Sequence, residues 1–221
     1  MNASHPGSSK TAAAQATPIV YVIDDDESVR RALSGLLRSM DLAVETFASS
    51  QEFLAGEKPE TPSCLILDVR LRGENGLEFQ NTMTRSNLHM PVVFITGHGD
   101  IAMTVKAMKA GAEDFLSKPF RDQDVLDAVA HALEKDRQRL ESVHSISSVR
   151  ASYESLTPRE REVVSYVVVG LLNKQIASEM NISEVTVKMH RGQAMKKMAV
   201  RSVADLIRKT QSLGIGPSSS Q

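Results

Sequence analysis

The sequence predicts an α/β fold, a doubly wound five-stranded parallel sheet, followed by a small all-α domain. Three observations carry this. Five short apolar runs alternate with five stretches of helical periodicity over the first part of the chain, the pattern of βαβ units with right-handed crossovers. From Leu156 onward no strand pattern recurs, only helix, short turn and helix. The formal net charge of −1 is unevenly divided: residues 1–157 hold 16 Lys+Arg against 22 Asp+Glu, a net of −6, and residues 158–221 hold 10 against 5, a net of +5. An acidic front joined to a basic back implies two parts, and the basic one suits a polyanion.

Each element follows from its pattern. "IVYVI" (19–23) is short, β-branched and continuously apolar, as a strand buried on both faces should be. "SVRRALSGLLRSM" repeats Val29, Ala32, Leu33, Leu36, Leu37 and Met40 at helical spacing. "LAVETF" is a weak second strand, and "SSQEFLAGE" a short helix. "CLILDV" is a third buried strand that ends in Asp68, and "GLEFQNTMTRS" is helical. "PVVFITG" gives the fourth strand, and "DIAMTVKAMKAGA" a helix closed by Gly111. "EDFLSKPF" contains the fifth strand, and "DQDVLDAVAHALEKDRQRL" the fifth helix. After Leu140 apolar periodicity fades into a Ser-rich stretch that reads as a helix tail entering a linker. The expected organisation is a disordered tail over 1–17, an α/β domain over 18–138, a linker over 139–152, a helical domain over 153–213 and a second tail over 214–221.

Composition narrows the function classes. Hydrophobic residues make up 41% and charged residues 24%, enough for ordinary cores. Cys64 is the single cysteine, so no intrachain disulfide can form, and "SCLIL" suits a buried, unreactive thiol. No apolar run approaches the roughly 20 residues that cross a bilayer. The first residues lack a charged segment followed by an apolar one, so no secretory signal and no membrane partner are expected, and the cytoplasm is the expected compartment.

In a parallel α/β sheet, ligands bind beyond the carboxyl ends of the strands. Asp24 and Asp25 follow the first strand, Asp68 ends the third, Thr96 ends the fourth, and Lys118 follows the fifth. Clustered carboxylates repel unless a hard cation sits among them. Mg2+ (or Mn2+) takes oxygen ligands from one or two carboxylates and phosphate, and would neutralise a phosphoryl group moving onto a carboxylate. Asp68, alone at a central strand end, is the best nucleophile. Lys118 and Thr96 would bind the phosphoryl oxygens. A lone strand-end Asp is more often a helix cap, and Asp26 and Glu27 read as such first-turn acids. The convergence of strand ends lifts the group above that reading. "TGHGD" lacks the spacing and Lys of a phosphate loop and reads as a turn, with Asp100 capping and His98 exposed.

The basic end has its own pattern. Thr157, Pro158 and Glu160 form a capping box with Pro at the first helical position. "NKQIASEM", the turn "NIS" and "EVTVKMHRGQAMKKM", capped by Ser183, make a helix-turn-helix whose second helix suits a DNA major groove. Val187, Ala194 and Met198 fall on its core side; Lys188, Met189 and Gly192 lie opposite, with Thr186 nearby. Lys188 suits guanine acceptors, Met189 a thymine methyl, and Gly192 close backbone approach. Lys174, Arg191, Lys196, Lys197 and Arg201 read as phosphate contacts, with His190 half-buried beside one.

"DDD" at 24–26, "LILDVRLRGENG", "FITGHGD" and "MKAGAEDFLSKPF" resemble the receiver domain of two-component response regulators, with its flavodoxin/CheY-like fold, over residues 18 to about 138. "LTPREREV", "NKQIA", "ISEVTVKMH" and "KKM" resemble the LuxR-type DNA-binding domain over 153–213. Together they look like the NarL/FixJ class, most like its FixJ side. The resemblance implies that a sensor histidine kinase phosphorylates Asp68. It implies that Asp25, Asp68 and the Arg70 carbonyl ligate Mg2+, with Asp24 acting through water. It further implies that Lys118 pairs with the phosphate, that Thr96 and Phe115 switch, and that the Lys118–Pro119 bond is cis. It implies, too, a homodimer when the protein is phosphorylated, with double-stranded DNA and RNA polymerase as further partners. One position departs from the family pattern: Leu71-Arg72 stands where Met-Pro is usual, which adds a cation beside the metal. Two other readings remain at this point: a phosphotransfer enzyme, and a phosphorylation-independent DNA-binding regulator with a degenerate receiver.

Overall fold

A computed structural model describes residues 17–97 and 101–215. The expected tails fall almost wholly outside these residues, as do His98 and Asp100. The described chain divides into two compact units, one ending at Leu140 and the other beginning at Glu141.

The first unit alternates strands and helices: β1 (Ile19–Ile23), α1 (Glu27–Arg38), β2 (Ala43–Phe47), α2 (Ser50–Ala55), β3 (Ser63–Asp68), β4 (Arg70–Leu71), β5 (Glu74–Asn75), α3 (Gly76–Arg85), β6 (Val92–Thr96), α4 (Ile101–Lys109), β7 (Asp114–Ser117) and α5 (Asp122–Glu154). Five of the strands form one all-parallel sheet in the order β2-β1-β3-β6-β7. The doubly wound expectation is met. Strand side chains alternate between two cores. Val20, Val22, Cys64, Ile66, Val93 and Ile95 pack with Leu33 and Leu37 of α1 and Val125 and Val129 of α5. Tyr21, Ile23, Leu65, Leu67 and Phe94 face Phe53, Phe79, Met83 and Ala107 of α2, α3 and α4. This two-sided burial explains the unbroken apolar runs in sequence. Cys64 is wholly buried, and burial, aided by the nearby Asp136 carboxylate, pushes its thiol pKa up to about 12.

Two features differ from the sequence expectation. The "RLRGEN" stretch folds into a two-residue-per-strand hairpin, β4–β5, whose turn is Arg72-Gly73 with Gly73 at φ +78°. The expected linker is helical, since α5 extends to Glu154. Leu140, Val143, Ile146, Val149 and Tyr153 recur every three or four residues, a helical stripe that the intervening serines hide. Val149 and Tyr153 pack on the core of the second unit.

The second unit continues with α6 (Pro158–Val169), α7 (Asn173–Met180), α8 (Glu184–Lys197) and α9 (Val203–Gln211). Its core gathers Val163, Val164, Val167, Ile176, Val187, Ala194, Met198 and Leu206. The expected capping box is formed: the Glu160 amide donates to Thr157 Oγ1 at 3.3 Å, and the Thr157 amide donates to Glu160 Oε2 at 2.8 Å.

Candidate functional site

Strand order reverses direction of winding beside β1 and β3, and the acids stand at that point. The parallel register sets Ile23 against Leu67, so the residues that follow, Asp24 and Asp68, emerge side by side. One carboxylate oxygen each from Asp24, Asp25 and Asp68 lies within 4.8 Å of the others. The three border a cleft of about 720 Å3 that is also lined by Arg30, Arg70, Arg72, Gly97 and Lys118.

Lys118 anchors the cluster. Its Nζ donates to Asp24 Oδ2 and Asp68 Oδ2, both at 2.7 Å. Its own amide donates to the Thr96 carbonyl at 2.7 Å, and its bond to Pro119 is cis, as expected. Burial alone would lower the ammonium pKa; the two carboxylates outweigh burial and hold it above the ordinary lysine value. Asp24 is fully buried, and its carboxyl is raised by that burial despite the Lys118 and Asp26 hydrogen bonds. Asp68 Oδ1 accepts from the Arg70 amide at 3.0 Å, which points the carboxylate out of the strand end. Asp26 caps α1 instead, accepting from the Ser28 amide and hydroxyl. Asp25 accepts from Arg72 Nε at 3.0 Å. Three oxygen donors at this spacing are what a hard divalent cation takes, so the residues fit Mg2+. Thr96 is buried at the end of β6, and Phe115 is half-buried on β7 with its ring centroid 6.5 Å from that of Phe94.

In the second unit, α7, a turn through Asn181 (φ +53°) and α8 form the helix-turn-helix. Ser183 caps α8, accepting from the Thr186 amide at 3.1 Å. Val187, Ala194 and Met198 are wholly buried, whereas Lys188, Met189 and Gly192 are exposed, so the two faces separate as the spacing implied. Lys174, Lys196 and Arg201 are exposed, and His190 is half-buried. Two residues expected at phosphates already have internal partners. Lys197 Nζ meets Glu160 Oε2 at 2.7 Å, and Arg191 Nη1 donates to Asn173 Oδ1 at 3.0 Å. Both brace α8 against its neighbours. Val185, 75% exposed on the first turn of α8, was not among the expected contacts. Its spacing of four from Met189 was the available signal.

Residues 20–130 match the family described as response regulator receiver domain, and residues 154–210 match bacterial regulatory proteins, luxR family. Nodulation protein W of Bradyrhizobium diazoefficiens is 53% identical over 197 residues, 89% of this chain and 87% of that protein. The transcriptional regulatory protein FixJ of Rhizobium meliloti is 38% identical over 90% of this chain and 98% of its own. The chain belongs to the NarL/FixJ class of response regulators. Among solved structures, response regulator StyR is 46% identical, covers 89% of this chain and 99% of its own, and superposes with a TM-score of 0.80. This is a family of transcriptional regulators rather than of catalytic enzymes. The acidic triad is typical of a Mg2+ site, the receiver implies a histidine kinase partner, and the helix-turn-helix implies DNA binding. Among the described residues no helix is long and apolar enough to cross a membrane.

Proposed function

We propose that Asp68 takes a phosphoryl group from a histidine kinase, and that this charge change pairs two receivers and places two DNA-binding units on neighbouring half-sites. The observation that carries the reading is the shared grip of Lys118 on Asp24 and Asp68 at 2.7 Å each, beside an open cleft. An oxygen–phosphorus bond forms at Asp68 as the nitrogen–phosphorus bond of the donor histidine breaks. Asp25, Asp68 and the Arg70 carbonyl, with Asp24 through water, would hold a divalent cation, which would neutralise charge on the transferring group. Lys118, already aimed at Asp68, can turn its donor to a phosphoryl oxygen without leaving the pocket. The phosphoryl group carries about −2 charge in place of the single negative charge of the Asp68 carboxylate. Thr96 and Phe115, which end β6 and stand on β7, are the residues we assign to transmit it. α4 exposes Ile101, Val105 and Met108 in one stripe, a surface suited to a second receiver.

Pairing raises the effective concentration of one DNA-binding unit beside the other. Lys188, Met189, Gly192 and Thr186 would face base edges, and Lys174, Lys196 and Arg201 would face phosphates. Arg191 and Lys197 enter this interface only as braces for α8 unless they leave their present partners. RNA polymerase would be the partner through which promoter occupancy changes transcription.

Size and DNA binding of the full chain with and without a small phosphodonor and Mg2+ test the reading. Wild type should gain an acid-labile adduct on Asp68, dimerise and bind DNA more tightly; Asp68→Asn should do none of these. Phosphodonor-dependent dimerisation of Asp68→Asn would overturn the role of Asp68. The hydrogen bond of Arg72 to Asp25 favours a second reading, constitutive DNA binding, which equal DNA affinity in both conditions would establish.

A further inference from the structure

The β4–β5 hairpin sets the Arg72 side chain against the outer acid of the cleft. Arg70 pairs with Asn75 and Leu71 with Glu74, so Arg72-Gly73 is a two-residue turn, and the positive φ it needs falls on Gly73. The hairpin is fixed at both sides. Leu71 is buried in the core beneath the sheet, and the Glu74 carboxylate accepts from the Ser50 hydroxyl of α2. From this fixed turn Arg72 reaches back to Asp25, where its Nε–H meets Oδ2 at 3.0 Å.

Asp25 differs from the other two acids. Its side chain is 26% exposed, against 0% for Asp24 and 9% for Asp68. The inner pair shares Lys118; the outer acid has Arg72. Each carboxylate of the triad therefore has a protein cation before any metal arrives. The two cations are unlike in one respect. Lys118 rises from the sheet and is largely enclosed, whereas the Arg72 side chain is 88% exposed at the end of a long flexible stem. Leaving its partner would return rotamer freedom to Arg72 and expose its guanidinium to water it already mostly contacts.

We propose that Arg72 is a tethered competitor of the divalent metal for Asp25, so that metal loading and release of the Arg72 side chain are one linked event. The proposal rests on the reading of Asp24, Asp25 and Asp68 as the metal's ligands. Two effects act in the same direction. Asp25 must give up a hydrogen-bonded partner to become a full ligand, and a guanidinium a few ångströms away repels a divalent ion. Arginine keeps its charge at every accessible pH, so the competition does not fade as pH rises. An exposed ion pair is weak, and repulsion through a wet cleft is screened, which together set the effect at about threefold to tenfold in metal affinity at low salt.

Mn2+ binding to the full chain, followed by loss of the free-ion electron paramagnetic resonance signal, tests this. Arg72→Ala should bind Mn2+ about threefold to tenfold more tightly than wild type at low ionic strength, and the gain should shrink with added salt. Arg72→Lys should fall between the two. In the Asp25→Asn background the gain should shrink, because the guanidinium has nothing to hold it beside the ion. In wild type, the Arg72 Nε–H resonance should change with the same Mg2+ midpoint as the metal-binding isotherm. Unchanged or weaker Mn2+ affinity in Arg72→Ala, with binding still weakened in Asp25→Asn, would overturn the competition and leave the metal site standing. No Mn2+ binding by any variant would overturn both.

Discussion

A methyl group added at Gly76 would strike the backbone that carries Asp68. Gly76 opens α3, directly after the hairpin, and its amide donates to the Val69 carbonyl at 2.9 Å. A Cβ there would sit 2.5 Å from the Asp68 carbonyl oxygen, 3.2 Å from Val69 Cα and 3.3 Å from the Asp68 carbonyl carbon. All three neighbours are main-chain atoms, which cannot rotate aside. Reaching even 3.0 Å from the oxygen requires about 0.5 Å of main-chain retreat. Such overpacking destabilises by about 1–3 kcal/mol, partly offset by about 0.4–1 kcal/mol from restricting the unfolded chain. A net loss of about 1–2 kcal/mol is expected for Gly76→Ala.

The same displacement reaches the chemistry. Asp68 Oδ2 is held by Lys118 at 2.7 Å and Oδ1 by the Arg70 amide at 3.0 Å, and both bonds share the main chain that must move. Reactive constellations tolerate about 0.5 Å. Urea unfolding of the full chain, followed through β1 and β3 amide resonances, reads the first effect; the rate of acid-labile adduct formation on Asp68 reads the second, expected to fall at least about tenfold. Gly35→Ala is the control: it lies exposed inside α1 with nothing within 4 Å, and should stabilise by about 1 kcal/mol. Stability within about 0.5 kcal/mol of wild type together with undiminished phosphorylation of Gly76→Ala would refute the reasoning.

Gly192→Ala should separate two properties: with open space around it on exposed α8, it should stabilise the second unit by about 1 kcal/mol while weakening DNA binding, as urea unfolding and a titration of DNA would report. Asp24→Asn should raise stability of the metal-free protein at pH 7 by about 0.5–2 kcal/mol and lose the stabilising response to Mg2+. The sign follows from its raised pKa: Asp24 contributes fully below pH 3.8, and that contribution is lost as pH rises through the folded value, so the ionised form is a burden at neutral pH. Denaturant midpoints of the two proteins should therefore converge as pH falls toward 4.

The parallel sheet and the helix-turn-helix were legible because their signals are local and repeated. Unbroken apolar runs such as "CLIL" mark strands buried on both faces, and the split of Val187, Ala194 and Met198 from Lys188 and Met189 follows from a period of 3.6. The convergence of Asp24, Asp68 and Lys118 was legible because parallel strands present all carboxyl ends at one edge. What was not legible depends on partners distant in sequence. Nothing near Lys197 announces Glu160, 37 positions away; the family pattern placed Arg72 beside the metal but not its hydrogen bond to Asp25, 47 positions away. The helical stretch 141–154 was hidden for a different reason: its stripe is one residue wide, too sparse to outweigh five serines.

The acidic cleft shows why the most functional part of the receiver is its least relaxed. Asp24 is fully buried, and that burial raises its carboxyl pKa even after Lys118 has contributed two hydrogen bonds to the pair of acids. A fold under selection for stability alone would place a neutral isostere there. Retaining three carboxylates makes the pocket's free energy depend steeply on any added positive charge, whether metal, lysine or arginine. Lys118 is enclosed and can only turn within the pocket, so it sets a fixed background. Arg72 is exposed and can leave, so it sets a threshold. A phosphoryl group entering such a cleft raises the demand for positive charge, and Lys118 and Arg72, which already hold the three acids, are placed to answer it. The charge imbalance visible in the first acids of the sequence is thus the quantity that the rest of the site adjusts.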